Sequence, residues 1–530
     1  MTGTWALARL ALRLDRVRLP MWLLVLVGLP LATASSIAQL YPDVAERAKL
    51  AAEIGGNPTL LGLYGRFYDA TTLGGLVAWR MGATLPVLVG LMSLLLVIRH
   101  TRAEEQAGRT ELLASGAIDR RAPLTAALVE ALAVNLALAL LIALGMIAQS
   151  EDATGAFALG LSFAGAGLVF ASVAAVTAQV TENSRTAAGL AVAALGAAYL
   201  LRAFGDGASA SANGPSWLSW LSPLGWAQLV RPYGDERWWV LALMADVCLA
   251  LVALAYALVA RRDYAAGLVQ PRLGPAGTTM GSPAALAWRL HRGALLAWSA
   301  GLAALGLALG TAADGVGNLV RDNPAMADVF DKIGGTQGVI DSFLAAALGI
   351  VGLTAAAYTV QAALRLRVEE TTARAEPVLA TPVTRLQWAA SHLLFAFGGT
   401  VVVLGALGLA AGLAHGLRTG DLGGQLPRLL GGALVIVPAA WVVAGLCVAL
   451  FGLAPRLASA TWGVVVLFGL LTYFGAVLQL HHWVLDLSPY THLPKLPGNP
   501  VTATPLLWLA ALASALTAAG LAGFRRRGIG

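Results

Sequence analysis

Charge is what this sequence is short of. Only 12% of its 530 residues are Asp, Glu, Lys or Arg, against roughly 25% in soluble domains. With 58% hydrophobic residues and a mean hydropathy of +0.74, that scarcity excludes a soluble globular enzyme and points to an integral membrane protein. Cysteine is nearly absent. Cys248 and Cys447 both fall in apolar runs, so buried thiols are expected rather than a disulfide or a metal site. Lysine occurs only as Lys49, Lys332 and Lys495, and none follows a glycine. No G-x-x-x-x-G-K-[ST] phosphate loop is present, so the chain is not expected to hydrolyse ATP itself. The net charge of +7 does not indicate a nucleic-acid partner, because the charges cluster where apolar runs end, which is a topology signal.

What is abundant is uninterrupted apolar sequence. A membrane span needs about 20 such residues. Twelve candidates are present, near 20–40, 76–98, 123–148, 154–180, 187–204, 237–260, 293–313, 341–362, 386–416, 427–453, 460–480 and 502–523. Short polar turns at Glu151-Asp152 and at 181–185 predict helical hairpins. The positive-inside rule places both termini in the cytoplasm of a multi-pass plasma-membrane protein. The inner segments then hold 23 of the 35 Lys and Arg, while 16 of the 28 acids fall outside. Glycine is frequent, and Gly408, Gly412 and Gly416 read either as a small-xxx-small ridge of the kind that lets helices approach closely or as the background of an Ala/Gly-rich chain.

The sequence repeats itself. Glu104-Glu105-Gln106-Ala107-Gly108-Arg109-Thr110-Glu111 recurs 265 residues later as Glu369-Glu370-Thr371-Thr372-Ala373-Arg374-Ala375-Glu376. Arg13-Leu14-Asp15-Arg16 resembles Arg289-Leu290-His291-Arg292. Asn57-Pro58 matches Asn323-Pro324, and Leu221-Ser222-Pro223 matches Leu487-Ser488-Pro489. Two halves follow, 1–265 and 266–530. Each has a basic interfacial helix (4–19 and 282–292), six spans, an inner charged loop (99–121 and 363–385) and two outer segments. The outer segments are 41–75 and 205–236 in the first half, 314–340 and 481–501 in the second. Six spans per half gives both halves one orientation, so they form parallel repeats about an axis along the membrane normal. The fold class is therefore an all-α membrane protein of twelve transmembrane helices, built as two parallel six-helix pseudo-repeats. The basic, apolar N-terminus could mimic a signal peptide, but its repeat partner at 289–313 is internal.

Within each charged block Glu105 and Arg109, and Glu370 and Arg374, are four apart, which predicts an ion pair along a helix. One such block reads as a solvated helix decorating a loop. Two in equivalent places read as a pair of docking surfaces. The stretch Gly108-Arg109-Thr110-Glu111-Leu112-Leu113-Ala114, with Arg120, resembles the inner loop of ABC-2-type exporter permeases, and so does Arg374 to Arg385. The doubled arrangement is similar to the actinobacterial permeases described as exporters of polyketide antibiotics. In the second half Ala373 replaces Gly108 and Pro377 replaces Leu112. The resemblance implies a type V exporter-like fold, with the block as a coupling helix that docks on a separate ATPase. Glu104, Glu105, Arg109, Glu111, Glu369, Glu370, Arg374 and Glu376 would then couple to two ATPase copies, which would carry ATP and Mg. The chain itself would hold no cofactor. Leu422-Gly423-Gly424-Gln425 mimics an ABC signature, but is expected in an outer loop with no nucleotide domain around it.

Arg80, Glu130 and Asp246 lie within or at the edges of spans. Intramembrane ions face a cavity or a partner, so these read either as a polar pathway or as structural ties. Under the resemblance the second and fifth spans of each half line the cavity. Trp79, Met92, Tyr199, Phe343, Tyr358, Trp462 and Tyr473 are then pathway candidates, with core packing the alternative for each. Trp217, Trp220, Trp226, Trp238 and Trp239 read as an outer cap over the pathway or as an interfacial belt. His481, His482, Asp486 and His492 read as hydrated loop residues rather than metal ligands. The expected function is ATP-driven export of hydrophobic small molecules (drugs, polyketide-like compounds or lipids). The alternative is a proton-coupled secondary transporter using Glu130 and Asp246. A lipid-modifying enzyme finds no nucleophile–base pair or metal motif.

Overall fold

A computed structural model of the chain describes residues 3–55, 61–62, 64–114, 118–208, 216–263, 266–269, 281–321, 335–474, 481–498 and 502–528. Asn57-Pro58 and Asn323-Pro324 lie outside them. Among the described residues every regular element is a helix, and twelve helices are long and apolar enough to cross a membrane. The chain divides into two compact units, Met1–Gly274 and Pro275–Gly530.

The first unit opens with α1 (Thr4–Leu14), α2 (Arg18–Leu40) and α3 (Val44–Gly55). The interfacial helix is shorter than the expected 4–19, because the chain turns at residues 15–17. α1 buries Ala8 and Ala11 and leaves Trp5 and Leu12 exposed, as an interfacial helix does. The second span is not one helix from 76. α4 (Leu73–Gly82) ends before Ala83, and α5 (Leu85–Ile98) restarts with Pro86 in its first turn, where a missing N–H costs nothing. A π turn (Arg99–Ala103) and α6 (Arg109–Ala114) follow. α7 (Ala122–Ile147) and α8 (Ala153–Val180) form the expected hairpin, with Asp152 accepting the Gly155 N–H at 3.0 Å as the N-cap of α8. α9 (Ser184–Ala208), α10 (Pro223–Leu229) and α11 (Trp238–Arg261) complete the unit. Burial reaches 72% in the α5 and α8 spans but 17% in those of α2 and α11, which puts α5 and α8 at the centre of this unit.

The second unit departs from the first at its start. α12 (Pro283–Arg321) is one continuous helix, so the expected separate interfacial helix at 282–292 does not form. α13 (Gly335–Ala363) leads into α14 (Arg365–Thr371) and α15 (Ala375–Leu379). α16 (Arg385–Thr419) starts with a Thr384/Gln387 capping box and stops at Gly420, whose φ of 74° is left-handed. α17 (Leu422–Leu434) follows at once. Leu422-Gly423-Gly424-Gln425 is therefore a helical first turn capped by Asp421, not a loop. α18 (Val437–Leu453), α19 (Thr461–Phe474), α20 (His482–Leu485) and α21 (Ala503–Arg526) end the chain.

The glycine ridge does what its spacing predicts. A Cβ on Gly412 would stand 2.8 Å from the Leu426 Cα, and one on Gly408 or Gly416 would meet the α17 backbone at 2.8 and 3.0 Å. Three successive turns of α16 thus lie against α17. Gly412→Leu forces backbone apart from backbone, and the expected cost is about 1–3 kcal/mol. A fall in the thermal midpoint of the purified chain, absent in Gly405→Leu where the added atom meets open space, checks it.

Candidate functional site

The charged blocks sit where the second span of each unit ends. In the first unit the π turn Arg99–Ala103 buries His100, Thr101 and Arg102. π turns inside helices recur at functional sites. Arg102 donates through Nε to the Ala178 carbonyl at 2.7 Å, at the C-terminal end of α8, where a cation meets the negative end of the helix dipole. Its Nη1 lies 2.7 Å from Glu105. Glu105 in turn receives Arg262 Nη2 at 2.7 Å, just past the end of α11. Arg262 also donates to Gln179 Oε1 at 2.7 Å and to the Ala266 carbonyl at 2.9 Å. Gln106 Oε1 accepts from Ser184 N and Oγ at 3.0 and 2.6 Å, at the start of α9. The block therefore grips the C-terminal ends of the fourth and sixth spans and the N-terminal end of the fifth span of its own unit.

The expected pairing within the block is corrected. Arg109 pairs with Glu104, at 2.5 and 2.8 Å, not with Glu105. Arg374 pairs with Glu369 at 3.1 Å, not with Glu370. The reason is backbone geometry. Gly108 has φ 71° and Ala373 has φ 56°, so each helix stops in a left-handed residue between the acid and the arginine. A four-residue pair needs an unbroken helix. Alanine pays a steric penalty of roughly 1–2 kcal/mol in that conformation, yet the second unit keeps the turn. The ion pair with Glu104 raises the pKa of Arg109 further, so its charge is fixed.

The second unit repeats the longer tie. Arg527 Nη1 and Nη2 each donate to Glu370 at 2.7 Å. Glu105–Arg262 and Glu370–Arg527 both join residues 157 apart, and each arginine follows the last span of its unit. Arg527 stacks over Phe451 and Phe524 at 4.8 and 5.3 Å, and its carbonyl accepts from Arg385 Nη1 at 2.7 Å. The sequence reading missed Arg262 and Arg527. Their shared offset of 265 residues was the signal that could have found them. The third acid of each block behaves differently, since Glu111 and Glu376 are exposed. Each block thus has two acids turned to its own unit and one turned to solvent.

The other polar candidates fall in unlike places. Glu130 is buried in α7 and Asp246 is exposed on α11, so the two supposed proton carriers do not share an environment. Arg80 is exposed with its guanidinium 4.6 Å from the Tyr64 ring centre, which suits an interfacial cation.

The aromatic pathway candidates also scatter. Trp79 stacks on Phe67 at 4.2 Å and donates to the Gly65 carbonyl at 3.1 Å. Met92 is buried. Tyr358 is buried and donates to the Phe395 carbonyl at 2.8 Å. These three pack as core residues do. Tyr199 and Phe343 are half-buried, Tyr199 lying under Arg202 at 4.8 Å, and Trp462 is exposed. The Tyr473 side chain lies outside the described residues.

The outer segments between fifth and sixth spans are short helical elements fastened to the fifth span. The repeated Leu-Ser-Pro is a helix start. Ser222 caps α10 through Gly225 N at 3.3 Å and donates to the Ala198 carbonyl of α9 at 2.6 Å. Ser488 accepts from Tyr490 N at 3.4 Å and meets Thr472 Oγ1 of α19 at 2.9 Å. Serine accepting the orphan N–H with proline behind it is the physical content of the repeat. Trp220 and Trp239 stack at 5.5 Å above it.

With this geometry in place, the relatives of the chain can be set beside it. The family described as "Multidrug efflux system permease Rv1217c, C-terminal domain" matches residues 6–260 and 280–525. The multidrug efflux system permease protein Rv1217c of Mycobacterium tuberculosis (strain ATCC 25618 / H37Rv) is 44% identical over 532 residues, spanning 100% of this chain and 95% of that protein.

Proposed function

We propose, starting from the fact that this chain belongs to the multidrug efflux system permease family, that it is the membrane subunit of an ATP-driven exporter. It is a multi-pass membrane protein and a transport subunit, not an enzyme. The finer reading has four parts. Both termini lie in the cytoplasm. Two copies of an ABC ATPase, carrying ATP and Mg, dock on the inner face. Glu111 and Glu376 lie on the docking surfaces, and Glu104, Glu105, Arg109, Glu369, Glu370 and Arg374 hold those surfaces in shape. The cargo is a hydrophobic small molecule of the drug or polyketide-like class.

The observation that carries this reading is the matched pair of ties, Glu105–Arg262 and Glu370–Arg527. A loop that only connects two spans needs polarity, not a buried charge-assisted bond to the end of a distant span. A loop that must transmit a push needs a stiff joint, and paired, well-formed ion bonds supply one. ATP-driven movement at 104–111 would reach α8, α9 and α11 directly, and movement at 369–376 would reach α21. The alternately opening pathway would follow from rocking of the halves.

The test is transport in sealed vesicles containing the chain with and without an ABC ATPase that co-purifies with it. Drug accumulation that requires ATP and survives collapse of the proton gradient is expected. Transport that follows the gradient and proceeds without the ATPase would overturn the reading in favour of a secondary transporter.

A further inference from the structure

The root of the first charged block holds a second cluster that the coupling scheme does not use. His100 Nε2 lies 2.6 Å from Asp15 Oδ2 and 3.5 Å from Glu130 Oε2. All three residues are buried, and one potential ligand atom from each lies within 4.8 Å of the other two. Asp15 has a cation already, since Arg99 Nη1 donates to its Oδ1. Glu130 does not have that help. Its side chain is fully buried, points at His100, and neither carboxylate oxygen has a hydrogen-bond partner. A buried carboxylate without a partner is costly and calls for a charge to satisfy it.

The second unit builds the same corner with no acid at the positions of Asp15 and Glu130, although Arg365 pairs with Glu369 at 2.7 Å beside it. At the 265-residue offset His100 becomes Arg365 and Glu130 becomes Phe395, and His291 stands where the opening repeat has Asp15. There His291 stacks on Phe395 at 5.1 Å and its Nε2 meets His392 Nδ1 at 3.0 Å. Rings close the corner and the fold stands. The acids of the first unit are therefore not a requirement of the architecture.

We propose that Asp15, His100 and Glu130 bind one divalent transition-metal cation. Imidazole with two carboxylates suits zinc, manganese or ferrous iron better than magnesium or calcium. Ligand atoms sharing an ion at about 2.1 Å stand roughly 3–4 Å apart, close to the spacing already present. Arg99 on the far oxygen of Asp15 would orient that ligand, as outer partners do in metal sites. Glu130, with both oxygens unused, offers one or two further donor atoms. Bound there, the ion joins the α1–α2 corner, the π turn and α7, and pins the root of the first charged block. This goes beyond the transport reading and does not depend on it.

The experiment uses the full chain, purified without a histidine tag and stripped with chelator. Zn²⁺ and Mn²⁺ are titrated separately, with bound metal counted after desalting and thermal midpoints recorded. About one equivalent per chain and a metal-dependent rise in midpoint are expected. Glu130→Gln should lose both, with affinity falling about a hundredfold or more. Its metal-free midpoint should equal or exceed that of the parent, because the unsatisfied charge is gone. His100→Asn is the second variant should Glu130→Gln fail to fold, and Asp246→Asn is the control that keeps binding. No bound ion, equal binding in Glu130→Gln and His100→Asn, or a midpoint that follows pH and ignores both metals would each overturn the proposal.

Discussion

Under the proposed coupling, Glu105→Ala is expected to cut drug efflux at least tenfold while leaving the chain folded and the proposed ATPase partner bound. The two arginines that Glu105 joins do not become stranded when it goes. Arg102 keeps the Ala178 carbonyl, and Arg262 keeps Gln179 and the Ala266 carbonyl. The stability loss should therefore be about 1.5–3 kcal/mol, the range for a charged hydrogen bond, rather than the larger cost of an orphaned buried ion. What disappears is the tie between the block and α11. ATP hydrolysis should continue but no longer respond to drug. Glu370→Ala should break the tie to Arg527 in the same way, at a larger cost in stability because both Arg527 Nη atoms lose their acceptor, and the two transport effects should add, since each tie lies within its own unit. Glu111→Lys with Glu376→Lys is expected to fail differently, because these acids are exposed, with the ATPase no longer co-purifying. The discriminating measurement is hydrolysis and transport on the same vesicles. Parental drug transport in both Glu105→Ala and Glu370→Ala would remove the ties from the mechanism.

How much of this could be read from residues alone depends on the range of the interaction. The spans were legible because a run of twenty apolar residues has one solution in lipid. The α16–α17 contact was legible because Gly408, Gly412 and Gly416 recur at one helical turn. Leu-Ser-Pro was visible as a repeat, although its role as a helix cap needed the backbone. The pairing inside the charged blocks was misread, because spacing reports a helix and Gly108 and Ala373 break it. Their left-handed conformation has a sequence hint only where the residue is glycine. The outward tie to Arg262 and Arg527 spans 157 residues and no local pattern announces it. The same holds for the cluster at His100. Glu130 drew notice as an acid within a span, but Asp15 and His100 meet it only once the corner after α1 and the π turn after α5 have formed. The break in the second span at Ala83-Thr84 had a sequence sign in Pro86 that apolar length concealed. The continuity of α12 had one in the exchange of Asp15, which ends α1, for His291.

Asp206→Ala is expected to destabilise the first unit by about 3–5 kcal/mol, the cost of breaking a buried ion pair from one side. Arg202 is fully buried in α9, and its Nη1 lies 3.7 Å from Asp206 one turn on. Removing the acid takes a carboxylate one turn away from a guanidinium buried beside Tyr199. Asp206 also accepts from Ser219 Oγ at 2.7 Å, and Ser222 fixes the next turn to Ala198, so the loss falls where the outer segment is fastened to the fifth span. Asp206→Asn should fall between, because an amide keeps the serine bond without the charge. Arg202→Leu combined with Asp206→Leu should recover most of the loss, since apolar replacement of a whole buried pair is often neutral. Unfolding midpoints of the purified chain in detergent decide this, read beside protease cleavage of the segment 216–229. An unchanged midpoint in Asp206→Ala would mean the pair is solvated. The outer segment would then be held by its serine cap and tryptophan stack rather than by the charge beneath it.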